Sequence, residues 1–338
     1  MEKKELNKLN PSNETIQLQL EEFIKGLGLK LFGFTHGQVV KNYQSYFNQR
    51  PEHVVSSFET GKTEEKCKLS AHFISIAFPY AHDVTSKGQA NFSIYVRGKD
   101  YHQVVQSYLD QICQFIEDLG YEAKGFVDSN QLPERLIAAL AGVGFLGRNS
   151  TLITEEFGSY VFLGEIQTNL PLTVNQKFSK PGNYDQCGTC QNCIKACHVS
   201  ILGSNYMDTT SCLSSLTQQK QLSGEQLLSL NGRLFGCDTC QMVCPFNRDK
   251  GHRGLIDFKP FDYMSSPDLQ ELLNLSKSLF KNKYAITSAG WRGKALLSRN
   301  ALVALANKGE LPETLESGSP MVQEAYIKLK TTGEPDKL

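Results

Sequence analysis

The chain has 338 residues, of which 40% are hydrophobic, 21% charged and 10% aromatic; this is a folded globular composition, which excludes general disorder, a collagen-like repeat and a membrane bundle. Thirty-five Lys and Arg balance 35 Asp and Glu, so a globally basic nucleic-acid coat is excluded and a local basic face is not. At about 150 residues per domain, the length suggests two or three units.

The opening MEKKELNKLNPSNETIQ is polar and has no apolar core of a secretory leader. The longest apolar stretches, such as AHFISIAFPY, fall far short of the roughly 18 residues a membrane helix needs. A cytoplasmic protein with no membrane partner is expected. Residues 15–28 carry Ile16, Leu18, Leu20, Phe23, Ile24 and Leu27 at helical spacing and end at Gly28. LKLFGFTH and HFISIAFPY read as strands, the second buried and closed by Pro79. The segment after Asp100 places Val104, Val105, Tyr108, Leu109, Ile112, Phe115 and Ile116 on one helical face, stopped by Gly120. EAKGFVD is a further strand, LPERLIAALAGVGFLG a helix with a glycine-rich exit, and STLITEEFGSYVFLGEIQT a strand hairpin. Alternating strands and helices over roughly the first 175 residues predict an α/β layer. A polar linker, NLPLTVNQKFSKPGNYD, leads to a cysteine-rich segment with too few aliphatics to build its own core. Beyond about Leu255 the pattern turns helical, and its last two helices suit one helical hairpin. The expected class is thus a mixed α+β and α/β multidomain protein. Its parts are residues 1–178 (α/β), 179–254 (cysteine-rich) and 255–338 (helical, HEAT-like).

Eight of the ten cysteines lie between Cys187 and Cys244; Cys67 and Cys113 read as buried apolar residues. Cys187, Cys190, Cys193 and Cys197 form C-x2-C-x2-C-x3-C, the bacterial ferredoxin run whose fourth cysteine serves the other cluster. Cys237, Cys240 and Cys244-Pro245 form C-x2-C-x3-C-P, and Cys212 supplies the missing thiolate. Eight thiolates suit two [4Fe-4S] clusters. Ferredoxin crossover assigns Cys187, Cys190, Cys193 and Cys244 to one, and Cys197, Cys212, Cys237 and Cys240 to the other. A pair of zinc sites, each with four cysteine ligands, is the competing reading, but zinc ribbons show two separated C-x2-C knuckles instead of this run. His198 stands where ferredoxins usually carry proline and receives no role. Clusters move electrons and do no organic chemistry alone.

The stretches GLGLKLFGFT, RGKDYHQVVQ, FVDSNQLPERLIAALAGVGFLGRNSTLI, GSYVFLGEI, CGTCQNCIKACHVSIL, CLSSLTQQK, GCDTCQMVCPFN and WRGKALLSRNALVALAN resemble, in order and over most of the chain, the epoxyqueuosine reductases. That resemblance implies a cobalamin-dependent enzyme with two [4Fe-4S] clusters, related to reductive dehalogenases. It would reduce epoxyqueuosine to queuosine at the tRNA wobble position, a reaction that takes up two electrons and two protons and releases water. The resemblance implies Asp128 as the general acid, held by burial at a pKa near neutrality; the alternative is a cap or Asx turn before the Pro133 helix. It implies corrin contacts from Arg135, Leu152, Leu163, Ser214, Cys237 and Asp238, along with Asp128. For Arg135 the alternative is a surface pair with Glu134 or Glu155. For the leucines it is core packing, and for Ser214 and Asp238 it is satisfaction of backbone donors. Tyr101 and His102 are substrate-pocket candidates, or else an ordinary helix start. Asp100-Tyr101-His102 begins the D-x-H-x-x-G motif of histidine-ligated cobalamins, but Val105 occupies the glycine position. A cobalamin with its lower base displaced and no histidine ligand is expected instead.

Residues 277–299 contain Lys277, Lys281, Lys283, Arg292, Lys294 and Arg299 and no Asp or Glu, with Phe280, Tyr284 and Trp291 between them. A basic, aromatic stretch of this kind suits an RNA backbone and an unstacked loop base; a solvated helical face is the alternative. Lys281, Lys283, Arg292 and Lys294 are the candidate tRNA contacts. Two other readings compete: a cobalamin-dependent reductase of a small molecule, dehalogenase-like, and a non-catalytic ferredoxin-type electron carrier. A monomer served by an unidentified electron donor is expected.

Overall fold

The computed structural model describes residues 13–48, 71–82, 84, 90–128, 132–174, 184–203 and 208–332. Cys67 and most of the predicted linker lie outside them. Chain order begins α1 (Asn13–Gly26), β1 (Leu31–His36), α2 (Gly37–Asn48), β2 (His72–Pro79), β3 (Asn91–Phe92), α3 (Tyr101–Asp118) and β4 (Ala123–Phe126). It continues with α4 (Glu134–Leu140), β5 (Phe145–Leu146), β6 (Leu152–Ile153) and β7 (Val161–Thr168). Helix α2 has no counterpart among the sequence expectations.

Four strands form one sheet in the order β1-β2-β7-β4. Every pairing in it is antiparallel, with Ala77 opposite Leu163 and Phe126 opposite Glu165. The α+β description therefore holds for this layer, and the parallel crossovers of an α/β sheet do not occur in it. Apart from His72 and Ser75, strand β2 is apolar because both faces are covered. Ile74, Ile76 and Phe78 point to the face packed by Leu20 and Ile24 of α1 and Val105, Leu109, Ile112 and Ile116 of α3. Phe73 and Ala77 point to the other face, against Leu136, Ile137, Ala138 and Leu140 of α4. Each fully buried Val, Leu, Ile or Phe among them contributes about 1.5–3 kcal/mol of transfer free energy. Helix α4 crosses β1 so closely that a Cβ at Gly33 would sit 2.0 Å from the Ala141 carbonyl oxygen. The predicted hairpin across residues 150–168 does not form as such: β6 pairs with β5, and β7 enters the main sheet between β2 and β4. Cys113 is half-buried on α3, next to the core.

The cysteine-rich segment holds α5 (Asn192–Ala196), α6 (Leu213–Leu216), α7 (Gly224–Ser229), β8 (Arg233–Phe235) and α8 (Thr239–Met242). As expected, it is poor in aliphatics, and it borrows its core: Leu213, Leu216, Leu227 and Leu230 pack with Leu302, Val303, Val322 and Leu329. Those partners come from the helical end, α9 (Asp262–Ser265), α10 (Leu269–Leu273), α11 (Lys277–Leu279), α12 (Lys294–Asn307) and α13 (Pro320–Thr332). Helices α12 and α13 pack together. Residues 90–97 leave the four-stranded sheet: β3 pairs parallel with β8, and Phe92 and Val96 share a core with Leu296, Leu297 and Tyr284, while Ile94 packs into the core of the sheet layer. Three of the cores thus cross the boundaries read from the sequence, for Phe258 also packs into the core of the sheet layer. No helix of the described residues is long and apolar enough to cross a membrane.

Candidate active site and cysteine centres

Asp100 caps the N-terminus of α3, its Oδ1 accepting from the His102 main-chain N–H at 3.2 Å. The same oxygen lies 2.8 Å from His102 Nδ1 and accepts from Ser288 Oγ at 3.0 Å. Capping at this position fixes which way the first turn points, and so aims the next two side chains. Tyr101 lays its ring flat on Phe162 of β7, with centroids 4.2 Å apart and planes 7° apart. Its hydroxyl donates to Asp128 Oδ2, and His102 Nε2 lies 3.3 Å from that same oxygen. Asp128 follows β4 in the left-handed region, φ 41°, a conformation that Asp tolerates better than most side chains. Two donors from one helical turn and one carboxylate from a strand end thus converge on a single oxygen.

The charges follow from this geometry. Hydrogen bonds to Asp100 and then to Asp128 raise the His102 pKa to about 9 against the opposing pull of burial, so the ring is an imidazolium at neutral pH. Burial pushes Asp100 upward, but its bonds from His102 outweigh that and hold the carboxyl below its ordinary value. Burial, then the Asp128 charge, drives Tyr101 well above its ordinary value. The Asp128 side chain itself is 57% exposed. The expectation that burial holds its proton is therefore corrected: what adjoins the carboxylate is a protonated ring, which can carry a proton to it, and a phenol that donates a hydrogen bond to it. Beneath, on β7, Glu165 is wholly buried; its Oε1 accepts from Ser75 Oγ at 2.9 Å, and burial raises its pKa well above the usual carboxyl range.

All eight cysteines of the motifs are half-buried and free. Tight turns present them: Cys190 N–H donates to the Cys187 carbonyl at 3.0 Å, and Gly188 between them sits at φ 50°. Burial, then neighbouring thiols, raises the pKa of several. Cys193 is influenced by Cys187, Cys244 and Cys190, and Cys244 by Cys187 and Cys190. Cys212 is influenced by Cys237 and Cys197. Cys240, pushed up to about 12, is influenced by Cys237 and Cys212 ahead of Cys193. Cys197, Cys212, Cys237 and Cys240 also line one cavity of about 860 Å³. Four cysteines around one cavity suit a cubane, which takes one thiolate at each of four corners.

Tyr95, which the sequence reading missed, joins the two regions. Half-buried in the 3-10 turn after β3, it hydrogen-bonds Ser214, and both Asp238 and Asp128 raise its pKa after burial does. Its ring stands 6.4 Å from that of Tyr101. Asp238 accepts from Ser93 Oγ at 2.5 Å and from the Ile94 N–H at 2.9 Å, so it ties the residue beside Cys237 to the same turn. Arg135, on the first turn of α4, donates to the Ser150 carbonyl. Next to Ser150, which has φ 62°, the buried Asn149 Nδ2 has no partner among the described residues. Leu152 is buried among Ala138, Ala139 and Val143, with Leu163 half-buried beside it, so the core reading describes the packing of both.

The basic stretch is less uniform than its sequence suggests. Lys283 pairs with Glu271 of α10 at 2.6 Å, and Lys294 donates to the Leu275 carbonyl at 3.0 Å. Arg299, 1% exposed, is a core residue that bonds the carbonyls of Gln219 and Thr217. Lys281 and Arg292 are exposed, and Arg292 lies 3.7 Å over the Trp291 ring, itself 61% exposed.

Comparison with known proteins bears on both regions. Residues 65–129 match the family described as epoxyqueuosine reductase QueG, DUF1730, and residues 186–247 match a 4Fe-4S double cluster binding domain. The chain is 34% identical to an epoxyqueuosine reductase of Bacillus anthracis over 312 residues, 87% of this chain and 81% of that one. It is 32% identical to that of Bacillus subtilis over 88% of this chain and 81% of the relative. The fold superposes on a crystal structure of selenomethionine-labelled epoxyqueuosine reductase with a TM-score of 0.83 and 28% identity, covering 96% of both chains. It also superposes on an epoxyqueuosine reductase crystallised with an epoxyqueuosine-modified tRNA-Tyr stem loop, with a TM-score of 0.79 and 28% identity, over 93% of this chain and 89% of that one.

Proposed function

Because the chain belongs to the epoxyqueuosine reductase family, we infer that it is an oxidoreductase that converts epoxyqueuosine to queuosine in tRNA, drawing electrons through two [4Fe-4S] clusters. The tRNA stem loop bound by its structural relative supports tRNA as the substrate. The mutual grouping of the thiols supports Cys187, Cys190, Cys193 and Cys244 as ligands of one cluster and Cys197, Cys212, Cys237 and Cys240 as ligands of the other. A pure electron carrier would leave the Asp100–His102–Asp128–Tyr101 group without a task.

A bound cobalamin would supply the strongly reducing centre that epoxide opening demands. The residues at its expected place fit a large ligand rich in amides. Asn149 offers a buried, unpartnered N–H donor, Arg135 stands beside it, and Ser214 and Asp238 edge the cysteine loop. Leu152, Leu163 and Cys237 would add packing. Both ring nitrogens of His102 already face carboxylates, which supports a cobalamin without a histidine lower ligand. Removal of the epoxide oxygen as water consumes two electrons and two protons. Expulsion of oxygen from carbon needs a donor because an alkoxide is a poor leaving group. Asp128 delivers that proton, and His102, cationic at neutral pH, returns one to Oδ2. Tyr101 holds the same oxygen in place. Lys281 and Arg292, exposed as Lys277 is, would meet phosphate, whereas Lys283 and Lys294 are bound inward. The enzyme would act as a monomer.

The observation that carries the mechanism is the convergence of Tyr101 and His102 on one oxygen of Asp128. The test is Asp128→Asn, purified and reconstituted without oxygen. Iron and corrinoid content are expected to match wild type, while turnover on epoxyqueuosine-containing tRNA falls by about 10²–10⁴. Full activity would remove Asp128 from the reaction.

A further inference from the structure

Arg233 opens β8 and is 9% exposed. Each nitrogen of its guanidinium is engaged: Nε donates to Cys237 Sγ at 3.2 Å, Nη2 to Thr239 Oγ1 at 2.8 Å and Nη1 to the Leu230 carbonyl at 3.2 Å. The Thr239 hydroxyl lies 3.3 Å from the same sulfur. The pairing of Asn91 with Arg233 between β3 and β8 sets where the side chain starts. The adjacent carboxylate, Asp238, turns away to Ser93 and Ile94, and no carboxylate among the described residues forms an ion pair with Arg233. Near the other thiol group the comparable cation behaves differently: Arg148 Nη2 donates to the Gly188 carbonyl, not to a sulfur. Among the described residues, Arg233 is the one cation that hydrogen-bonds a cysteine sulfur.

We propose that Arg233 is a positioning residue that raises the reduction potential of the cluster held by Cys197, Cys212, Cys237 and Cys240, making that cluster the collecting point for electrons on their way to the reaction site. The inference rests on the cluster assignment made above. When the cluster takes up one electron, its core and its thiolate sulfurs gain one negative charge. A charge-assisted N–H···S bond stabilises that added charge more than it stabilises the oxidised cluster, and hydrogen bonds to sulfur together with local charge are known levers on cluster potential. Arg233 forms no direct ion pair among the described residues, although its charge reaches Asp238, and its burial leaves the guanidinium field at the sulfur weakly screened. Thr239 fixes the fork so that Nε, and not a mobile Nη, meets the sulfur.

The experiment is an electron-paramagnetic-resonance redox titration of the anaerobically reconstituted full chain. Cys187→Ala and Cys212→Ala identify which signal belongs to which thiol set. Arg233→Gln is expected to lower the potential of the Cys212-dependent cluster by about 59 mV, a tenfold shift in its one-electron equilibrium, and to leave the other cluster unmoved. Arg233→Lys, which keeps the charge and loses the fork, is expected to fall in between. Should Arg233→Gln fail to load iron, Thr239→Val, which frees the guanidinium, is expected to shift the same cluster in the same direction by a smaller amount. An unmoved Cys212-dependent potential in whichever of these variants loads, or an equal shift of both clusters, would overturn the proposal. If wild type holds no pair of four-iron clusters, or the two alanine variants do not each lose a different one, the cluster assignment fails instead.

Discussion

Replacing Asp100 by Asn removes one charge and leaves its shape almost intact. Asn is itself a good helix cap, and its carbonyl can still accept from the His102 N–H and from Ser288. What changes is His102, whose pKa stands at about 9 instead of 6.5 chiefly through Asp100. At 1.36 kcal/mol per pH unit, that elevation corresponds to roughly 3 kcal/mol before screening. The imidazole is 34% exposed, so the net value is roughly half of this, about 1–2 kcal/mol, and Asp100 supplies the larger part of it. The sign follows from linkage: a base whose folded pKa is raised stabilises the fold fully below 6.5 and loses that contribution as pH climbs through 9. The Asp100→Asn defect in urea unfolding should therefore be about 1 kcal/mol between about pH 5 and 6.5 and vanish above about 9. In parallel, the His102 resonance in a nuclear-magnetic-resonance titration should move down by at least about one pH unit, and the alkaline limb of the activity profile should move with it. An alkaline limb that stays in place while the His102 resonance shifts would refute the role of His102 in returning protons to Asp128.

Other outcomes can be checked more simply. Glu165 carries a raised pKa in the fold, so wild type should lose stability as pH rises from about 4.5 toward that value, by up to about 1.4 kcal/mol per pH unit. Glu165→Gln should flatten this slope, and parallel stability curves for the two proteins would contradict a buried neutral carboxyl. Charge reversal at Lys281 and Arg292 should weaken binding of a tRNA stem loop and make its salt dependence shallower by roughly one for each phosphate partner removed, measured by fluorescence anisotropy across a salt series. Reversal at Lys283 should instead cost stability, because Glu271 would face a like charge in place of its 2.6 Å partner.

Sequence periodicity located the buried faces well where an element is long. Val105, Leu109, Ile112 and Ile116 do line the inner face of α3, since a helix of this length repeats its pattern several times. Short or shared elements were less legible. The two-residue strand β6 went to a different partner than the predicted hairpin required, because so short a strand carries no register information of its own. Lys283 and Arg299 looked like surface cations because their partners, Glu271 and the carbonyls of Thr217 and Gln219, lie outside the basic stretch. That stretch contains no acid, yet an acid from the preceding helix neutralises it locally. Tyr95 carried no recognisable signal at all: a tyrosine between apolar neighbours reads as core until Ser214 and two aspartates are seen around it.

Residue type and spacing along the chain were enough to point to two [4Fe-4S] clusters, whereas Asp128, Tyr101 and His102 were singled out only through the resemblance to the epoxyqueuosine reductases. Thiolates that must wrap one cubane are confined to tight turns, and such constraints are written in consecutive residues. The direction of the strands, the interleaving of residues 90–97 with the cysteine segment and the helical end, and the proton partners of Asp128 were decided only by the folded chain. Each of these depends on contacts between segments tens to hundreds of residues apart. In the case of Asp128, whether the carboxyl is buried or exposed, and which donors reach it, follows from how α3 meets the end of β4 and from nothing in the local sequence.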